Sequence, residues 1–254
     1  MFFIIITVAN QKGGVGKSTT VQALAAGLTL KKNKRILLID LDPQANTSFT
    51  FGAAKEGATA LGVLLGEVKL TDAIQSVKYG DILAGSKALA GADSFIIETG
   101  KEYRLKEALE EVSDRYDHVI IDTPPALGIV TINALTAADI VIIPTQADIY
   151  CLQGIAELGQ TIRTVKKYCN PALKIGGILF TRFNPRSSFN KELTDLTKEL
   201  AENLSTQVFE TRIREAISIK KAQATQQSIF DYDPRCTAAE DYLNLIDELT
   251  GKES

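Results

Sequence analysis

Phe3-Ile4-Ile5-Ile6-Thr7-Val8-Ala9 runs directly into Asn10-Gln11-Lys12-Gly13-Gly14-Val15-Gly16-Lys17-Ser18, and from there into Thr19-Thr20-Val21-Gln22-Ala23-Leu24-Ala25-Ala26-Gly27-Leu28. The first run is short, apolar and β-branched, which suits a strand buried on both faces of a parallel sheet. The last run sets Val21, Leu24, Ala25 and Leu28 at helical spacing and predicts a helix over 18–31. Between them lies a loop with glycines at 13, 14 and 16. Such glycines let the backbone turn tightly and aim its N–H groups at phosphate oxygens. Lys17 is placed to reach β- and γ-phosphates, and Ser18 to offer a hydroxyl to Mg²⁺. The helix N-terminus adds partial positive charge. Strand, loop, lysine, hydroxyl and helix in this order describe a phosphate-binding loop.

Working outward, further β-branched runs occur at 35–40, 118–122, 140–144 and 175–181. Helical patterns lie between them at 101–115, 154–168, 190–204 and 237–249. Alternating strands and helices imply right-handed βαβ crossovers. The expected fold is therefore α/β and doubly wound, a mostly parallel sheet with helices on both faces, as in P-loop NTPases. One domain over 1–254 is the simplest division, since no linker, repeat or low-complexity tract interrupts the chain. The stretch 49–100 is Gly- and Ala-rich, with short helices expected at 60–65 and 71–77.

The bulk properties are those of an ordinary globular chain. It has 254 residues, 45% hydrophobic and 23% charged, with a net charge of −3. That balance excludes a uniformly basic nucleic-acid binder but not a local basic face. No apolar stretch approaches a bilayer span. The start Met1-Phe2-Phe3-Ile4-Ile5-Ile6 is brief, lacks a basic leader and cleavage site, and is expected to enter the first strand. Cys151, Cys169 and Cys236 are far apart, which argues for reduced thiols and against a metal or iron–sulfur site within one chain. The single histidine, His118, is expected to be structural.

One position departs from the plain phosphate loop. Gln11 stands where the standard pattern has glycine, and Lys12 follows it. In this the segment Asn10–Thr20 resembles the deviant Walker A loop of the ParA/Soj family of partition ATPases, within the wider ParA/MinD group. Leu37-Leu38-Ile39-Asp40-Leu41-Asp42-Pro43-Gln44-Ala45-Asn46, Val119-Ile120-Ile121-Asp122-Thr123-Pro124-Pro125, Ile143-Pro144-Thr145-Gln146-Ala147-Asp148 and Tyr232-Asp233-Pro234-Arg235 resemble later landmarks of that family, in its order. The likeness covers nearly the whole chain and is weakest at 49–100.

The resemblance implies roles residue by residue. Gln11, Lys12, Gly13, Gly14, Val15, Gly16, Lys17, Ser18 and Thr19 would bind ATP. Lys12 would reach the nucleotide of a second subunit, coupling dimerisation to ATP. Catalysis would rest on Lys12, Lys17 and Asp42, with Asp42 orienting the attacking water, since phosphoryl transfer needs placed charge. Ser18, Asp40 and Asp122 would face Mg²⁺, the aspartates through coordinated water. Each aspartate also suits a cap or turn, Asp42 before Pro43 especially. For adenine the candidates are Thr181, Arg182, Phe209, Arg212 and Ile213, on late loops beyond the strand ends, which could equally be ordinary loop residues.

The resemblance also implies partners: nonspecific double-stranded DNA bound by an ATP-dependent homodimer, and a ParB-like DNA-binding adaptor that stimulates hydrolysis. Residues 160–221 hold twelve cations against six carboxylates, +6 within a chain of −3, leaving −9 elsewhere. This asymmetry suits a phosphate-facing surface. Arg186, Arg214, Lys220 and Lys221 are the candidate DNA contacts, although a charge run can also be a merely solvated face. No helix-turn-helix precedes the first strand, so autonomous operator binding is not expected. The expected setting is cytoplasmic and nucleoid-associated. Two alternatives stay open: a MinD-like membrane-associated positioning ATPase, and a relative that positions a protein cargo. The final helical stretch, 238–249, is acidic on its polar side, so stable membrane binding is not expected.

Overall fold

The computed structural model describes residues 3–54, 57–185 and 187–251. In chain order the elements are β1 (Ile4–Val8), α1 (Lys17–Lys32), β2 (Ile36–Asp40), α2 (Asn46–Thr50), α3 (Ala60–Leu64), α4 (Leu70–Ala73), β3 (Ile74–Val77), β4 (Gly80–Leu83), α5 (Ala92–Phe95), α6 (Arg104–Glu110), β5 (His118–Asp122), α7 (Ile129–Ala137), β6 (Ile140–Thr145), α8 (Ile149–Tyr168), β7 (Lys174–Phe180), α9 (Ser188–Asn203), α10 (Ile217–Ala224), α11 (Ile229–Tyr232) and α12 (Thr237–Thr250). The strands form one sheet in the order β3-β4-β2-β5-β1-β6-β7. Every pairing is parallel except β3 with β4.

The apolar runs are continuous because both sheet faces are covered. Leu37 and Ile39 of β2, Val119 and Ile121 of β5, and Val141 and Ile143 of β6 pack on one side, with α3 and α6–α8. Leu38, Ile120 and Ile142 pack on the other, against α1 and α12. Each fully buried aliphatic side chain contributes roughly 1.5–3 kcal/mol. β1 lies between β5 and β6, so crossovers leave its neighbourhood in both directions. A cleft opens at such a switch point, beyond the strand C-termini.

The doubly wound, mostly parallel sheet is the architecture expected from sequence. Local departures have physical causes. The expected helix at 71–77 is the four-residue α4 followed by strand β3. Leu70, Ala73, Ile74 and Val77 are spaced for a helix, but the free edge of β4 captures Ile74–Val77 in an antiparallel hairpin. The helix expected over 101–115 is a 3-10 turn at Lys101–Tyr103 leading into α6, which ends at Glu110. α8 begins at Ile149, earlier than expected, capped by the Asp148 side chain, which accepts from Tyr150 N. α7 was invisible to periodicity because it is buried nearly all round. The three cysteines form no disulfide, and among the described residues no helix is long and apolar enough to cross a membrane.

Candidate active site

The loop after β1 is held from three sides. Asn10, buried, donates from Nδ2 to Pro144 O at 2.8 Å and accepts Lys12 N at 2.9 Å. Gln146 Nε2 donates to Gly14 O at 2.9 Å, and Thr181 Oγ1 to Val15 O at 2.8 Å. Gly14 and Gly16 sit at φ 76° and 89°, a left-handed conformation that favours glycine. With the loop carbonyls tied back, the backbone N–H groups of Gly13 through Ser18 have no acceptor among the described residues. They form a donor nest at the N-terminus of α1.

Lys17 is buried, and its Nζ donates to Lys12 O at 3.1 Å. Burial pushes its pKa down, opposed by the charges of Asp122 and Asp42. The three aspartates converge from the ends of β2 and β5. Asp40, fully buried, accepts from Ser48 N and Ser48 Oγ at 2.7 Å each and from Asp42 N at 3.2 Å. Burial raises its pKa to about 6. Asp122 is also fully buried; burial, then the charge of Asp40, raises its pKa to about 7. Its Oδ2 accepts from Thr47 Oγ1 at 2.7 Å, and the nearby Thr47 and Ser18 hydroxyls both favour its charged form against burial. Its Oδ1 has no hydrogen-bond partner among the described residues. Asp42 lines the cavity and caps its own turn, its Oδ1 accepting Gln44 N at 2.9 Å.

A buried carboxylate oxygen without a partner is an expensive feature unless a cation meets it. The donor set at this point is all oxygen: Ser18, Asp40 and Asp122. That chemistry fits Mg²⁺, which keeps several waters and binds through few protein ligands plus phosphate. Among the described residues no cluster of three His, Cys, Asp or Glu side chains could hold a metal unaided. The fit is therefore to an ion brought with phosphate.

A cavity of about 830 Å³ opens over these groups, lined among others by Gly13, Gly14, Gly16, Lys17, Ser18, Thr19 and Asp42. A smaller one of about 70 Å³ adjoins it, sharing Gly16, Thr19, Arg182 and Gln223, and is lined also by Thr181, Ile213 and Lys220. Such a pair of spaces suits a phosphate chain and a flat ring.

The structure thus brings together Gly13, Gly14, Gly16, Lys17, Ser18, Thr19, Asp40, Asp42 and Asp122. Thr181, Arg182 and Ile213 stand at the smaller cavity. Val15 is buried, and Gln11 lines neither space. Lys12 points away from its own chain's cavity. Its Nζ donates to Asp148 Oδ2 at 2.8 Å, and it lies 5.8 Å from the Tyr150 ring centroid. The hydrogen bond raises the Lys12 pKa and lowers that of Asp148.

Other expected contacts are placed elsewhere. Phe209 is core, not pocket: a Cβ on Gly177 would lie 2.6 Å from its ring. Arg212 stacks on Phe183, 4.6 Å from its centroid, and lines neither space. Arg214 is held by Asp241 and Glu240, at 2.6 and 3.0 Å from its Nη2, so its guanidinium is already neutralised. Its backbone and Nε bind Asp241 as well. Lys220 and Lys221 are exposed on α10, and Arg186 lies outside the described residues. Residues that sequence reasoning missed include Thr47 and Ser48, which orient the aspartates, and Gln22, Phe49 and Gln223, which line the cavity. Thr47 and Ser48 directly follow the quoted run 37–46, and their hydroxyls were the available signal.

Comparison with known proteins identifies relatives over nearly the whole chain. A family model described as an AAA domain matches residues 3–175. The chain is 38% identical over 250 residues to the sporulation initiation inhibitor protein Soj of Bacillus subtilis, covering 96% of this chain and 97% of that protein. It is 35% identical to the chromosome partitioning protein ParA of Myxococcus xanthus, over 98% of this chain and 89% of that protein. Among solved structures, cobyrinic acid a,c-diamide synthase from Mycobacterium smegmatis, with bound ADP and magnesium, superposes with a TM-score of 0.83 at 33% identity, covering 97% of this chain and 93% of that one.

Proposed function

Since the chain belongs to the ParA/Soj family of partition ATPases, with ATP and Mg²⁺ as the reactants its fold handles, we propose that it is a DNA-partition switch in which ATP promotes a homodimer that binds DNA without sequence preference and a ParB-like adaptor triggers release. The observation that carries the chemistry is the unpartnered Asp122 Oδ1 beside Ser18, at the foot of a loop with its N–H groups open.

Each residue contributes a definable part. Gly13–Lys17 hold the β- and γ-phosphates through backbone N–H groups, and the Lys17 ammonium leaves Lys12 O to meet them. Ser18, with Asp40 and Asp122 acting through coordinated water, would hold Mg²⁺, whose charge would offset that of the phosphate oxygens. Ser48 and Thr47 fix the two aspartates so that Asp122 Oδ1 stays available. Asp42, hinged on its own turn over the cavity, orients the attacking water. Lys12 leaves Asp148 and serves the nucleotide of the second subunit. Thr181, Arg182 and Ile213 form the wall for the base.

The basic helix α10 offers Lys220 and Lys221 to DNA phosphates. A membrane role is disfavoured because the apolar face of α12 is already covered. Ala238, Ala239, Tyr242, Leu245 and Ile246 pack in the core beside α1. The proposed setting is the nucleoid. Replacing Asp42 by Ala is expected to lower the ATP turnover rate about 100-fold while ATP affinity stays within about threefold, as for a group acting on the attacking water. Steady-state hydrolysis alongside a nucleotide titration checks this, and unchanged turnover would remove Asp42 from its role.

A further inference from the structure

A continuous run of side-chain hydrogen bonds crosses from the metal-facing aspartate to the basic helix. Thr47 Oγ1 donates to Asp122 Oδ2 at 2.7 Å. Gln22 Nε2 approaches Thr47 Oγ1 at 3.4 Å and Asn46 O at 3.5 Å. Gln223 Nε2 donates to Gln22 Oε1 at 2.8 Å and contacts Thr19 Oγ1 at 3.2 Å. A second tie runs beside it, Gln226 Nε2, two residues past α10, donating to Phe49 O of α2 at 2.7 Å. Thr47 and Gln22 are buried, and Gln223 is half-buried.

The polarity of the run is fixed by chemistry. A threonine hydroxyl has one hydrogen, and Thr47 gives it to Asp122. Its lone pairs then face the amide of Gln22, whose carbonyl is left to accept from Gln223. Every donor points toward Asp122, so a reorientation of that carboxylate or of the Thr47 hydroxyl changes the partner available to Gln22, and through it to Gln223. Gln223 lies one turn beyond Lys220 on α10, so what moves Gln223 moves the exposed lysines. Runs of this kind reinforce one another and act as units.

Resting on the reading of the site as one for ATP and Mg²⁺, we propose that Gln22 is a positioning residue that couples occupancy of the Asp122 side of that site to the placement of α10, through Thr47 and Gln223. The consequence is reciprocal: what changes at α10 must change cation affinity at Asp122 by the same factor.

The test uses the full chain loaded with a non-hydrolysable ATP analogue. Amide hydrogen exchange over residues 217–224 is followed with and without Mg²⁺, and Mg²⁺ affinity is read from a fluorescent form of the analogue. In the unmodified protein, Mg²⁺ is expected to alter exchange in α10 about fivefold or more, the lower range of an energetic coupling. Thr47→Ser retains the response. Thr47→Val and Gln22→Ala reduce it to below about twofold, and Gln223→Ala, three hydrogen bonds from Asp122 along the run, weakens Mg²⁺ about fivefold. A merely structural network would lower stability without moving either readout. Where Thr47→Val fails to fold, Gln223→Ala carries the same comparison from the more exposed end. An α10 response that is absent in the unmodified protein, or equal in it and in the variants, overturns the proposal. Failure of the unmodified protein to bind the analogue overturns instead the reading of the site. Retention on DNA is measured separately, so loss of DNA binding with intact coupling removes only the DNA role of α10.

Discussion

Lys12 and Asp148 show how a single charge can be held in reserve. Lys12 is the residue that sets this loop apart from a plain phosphate loop, yet in the single chain it is paired at 2.8 Å with the carboxylate that caps α8. Both side chains are about one-third exposed, so the pair contributes at most about 1 kcal/mol. That is small enough to be exchanged for a phosphate and large enough to matter to an equilibrium. Replacing Asp148 by Asn is expected to lower the protein concentration needed for ATP-dependent dimerisation by up to about fivefold. Sedimentation with a non-hydrolysable ATP analogue checks this, and a higher requirement would show that Asp148 aids the dimer instead. The loop and the three aspartates were legible in the sequence because each lies inside a contiguous motif. Asp148, Thr47 and Gln22 were not assigned their roles because their partners are distant in the chain: Lys12 for Asp148, Asp122 for Thr47, Gln223 for Gln22. The core role of Phe209 was hidden likewise, since Gly177, which receives its ring, gives no sign of it in the sequence.

At the scale of elements, α10 and the strand starts carry separate loads. Lys220 and Lys221 are exposed, whereas Arg214 is held by two carboxylates. Replacing both lysines by Ala is therefore expected to weaken DNA retention and to reduce the slope of log affinity against log salt by about 1.8, close to 0.9 per phosphate contact. Arg214→Ala should instead lower stability. Equal effects of the two changes on the salt slope would contradict this division. At the opposite end of the sheet, Asp117 precedes β5 and accepts from Arg35 N at 2.8 Å and from its guanidinium at 3.0 Å. Arg35 holds the Asp117 carboxyl below its usual range. A depressed pKa contributes stability that is present above the ordinary carboxylate value of 3.8 and is lost as pH falls through the lower, folded value. Asp117→Asn should thus lower Tm more at pH 7 than at about pH 3. A deficit that grows on acidification would contradict the pairing. The strands around β1 were readable because their runs are long, β-branched and buried on both faces. The β3–β4 hairpin was not, because the spacing of Leu70, Ala73, Ile74 and Val77 is that of a helix, and only the neighbouring strand edge decides the outcome.

Taken whole, the molecule places a phosphate nest, an all-oxygen cation corner and a basic helix around one cleft at the switch point of its sheet. In the proposed switch, nucleotide state governs DNA binding. Its most direct test is retention on nonspecific double-stranded DNA with ATP, with ADP and without nucleotide, each at two salt concentrations. Retention with ATP is expected to fall steeply with salt, with little or none with ADP or without nucleotide. Equal retention in all three states would contradict it.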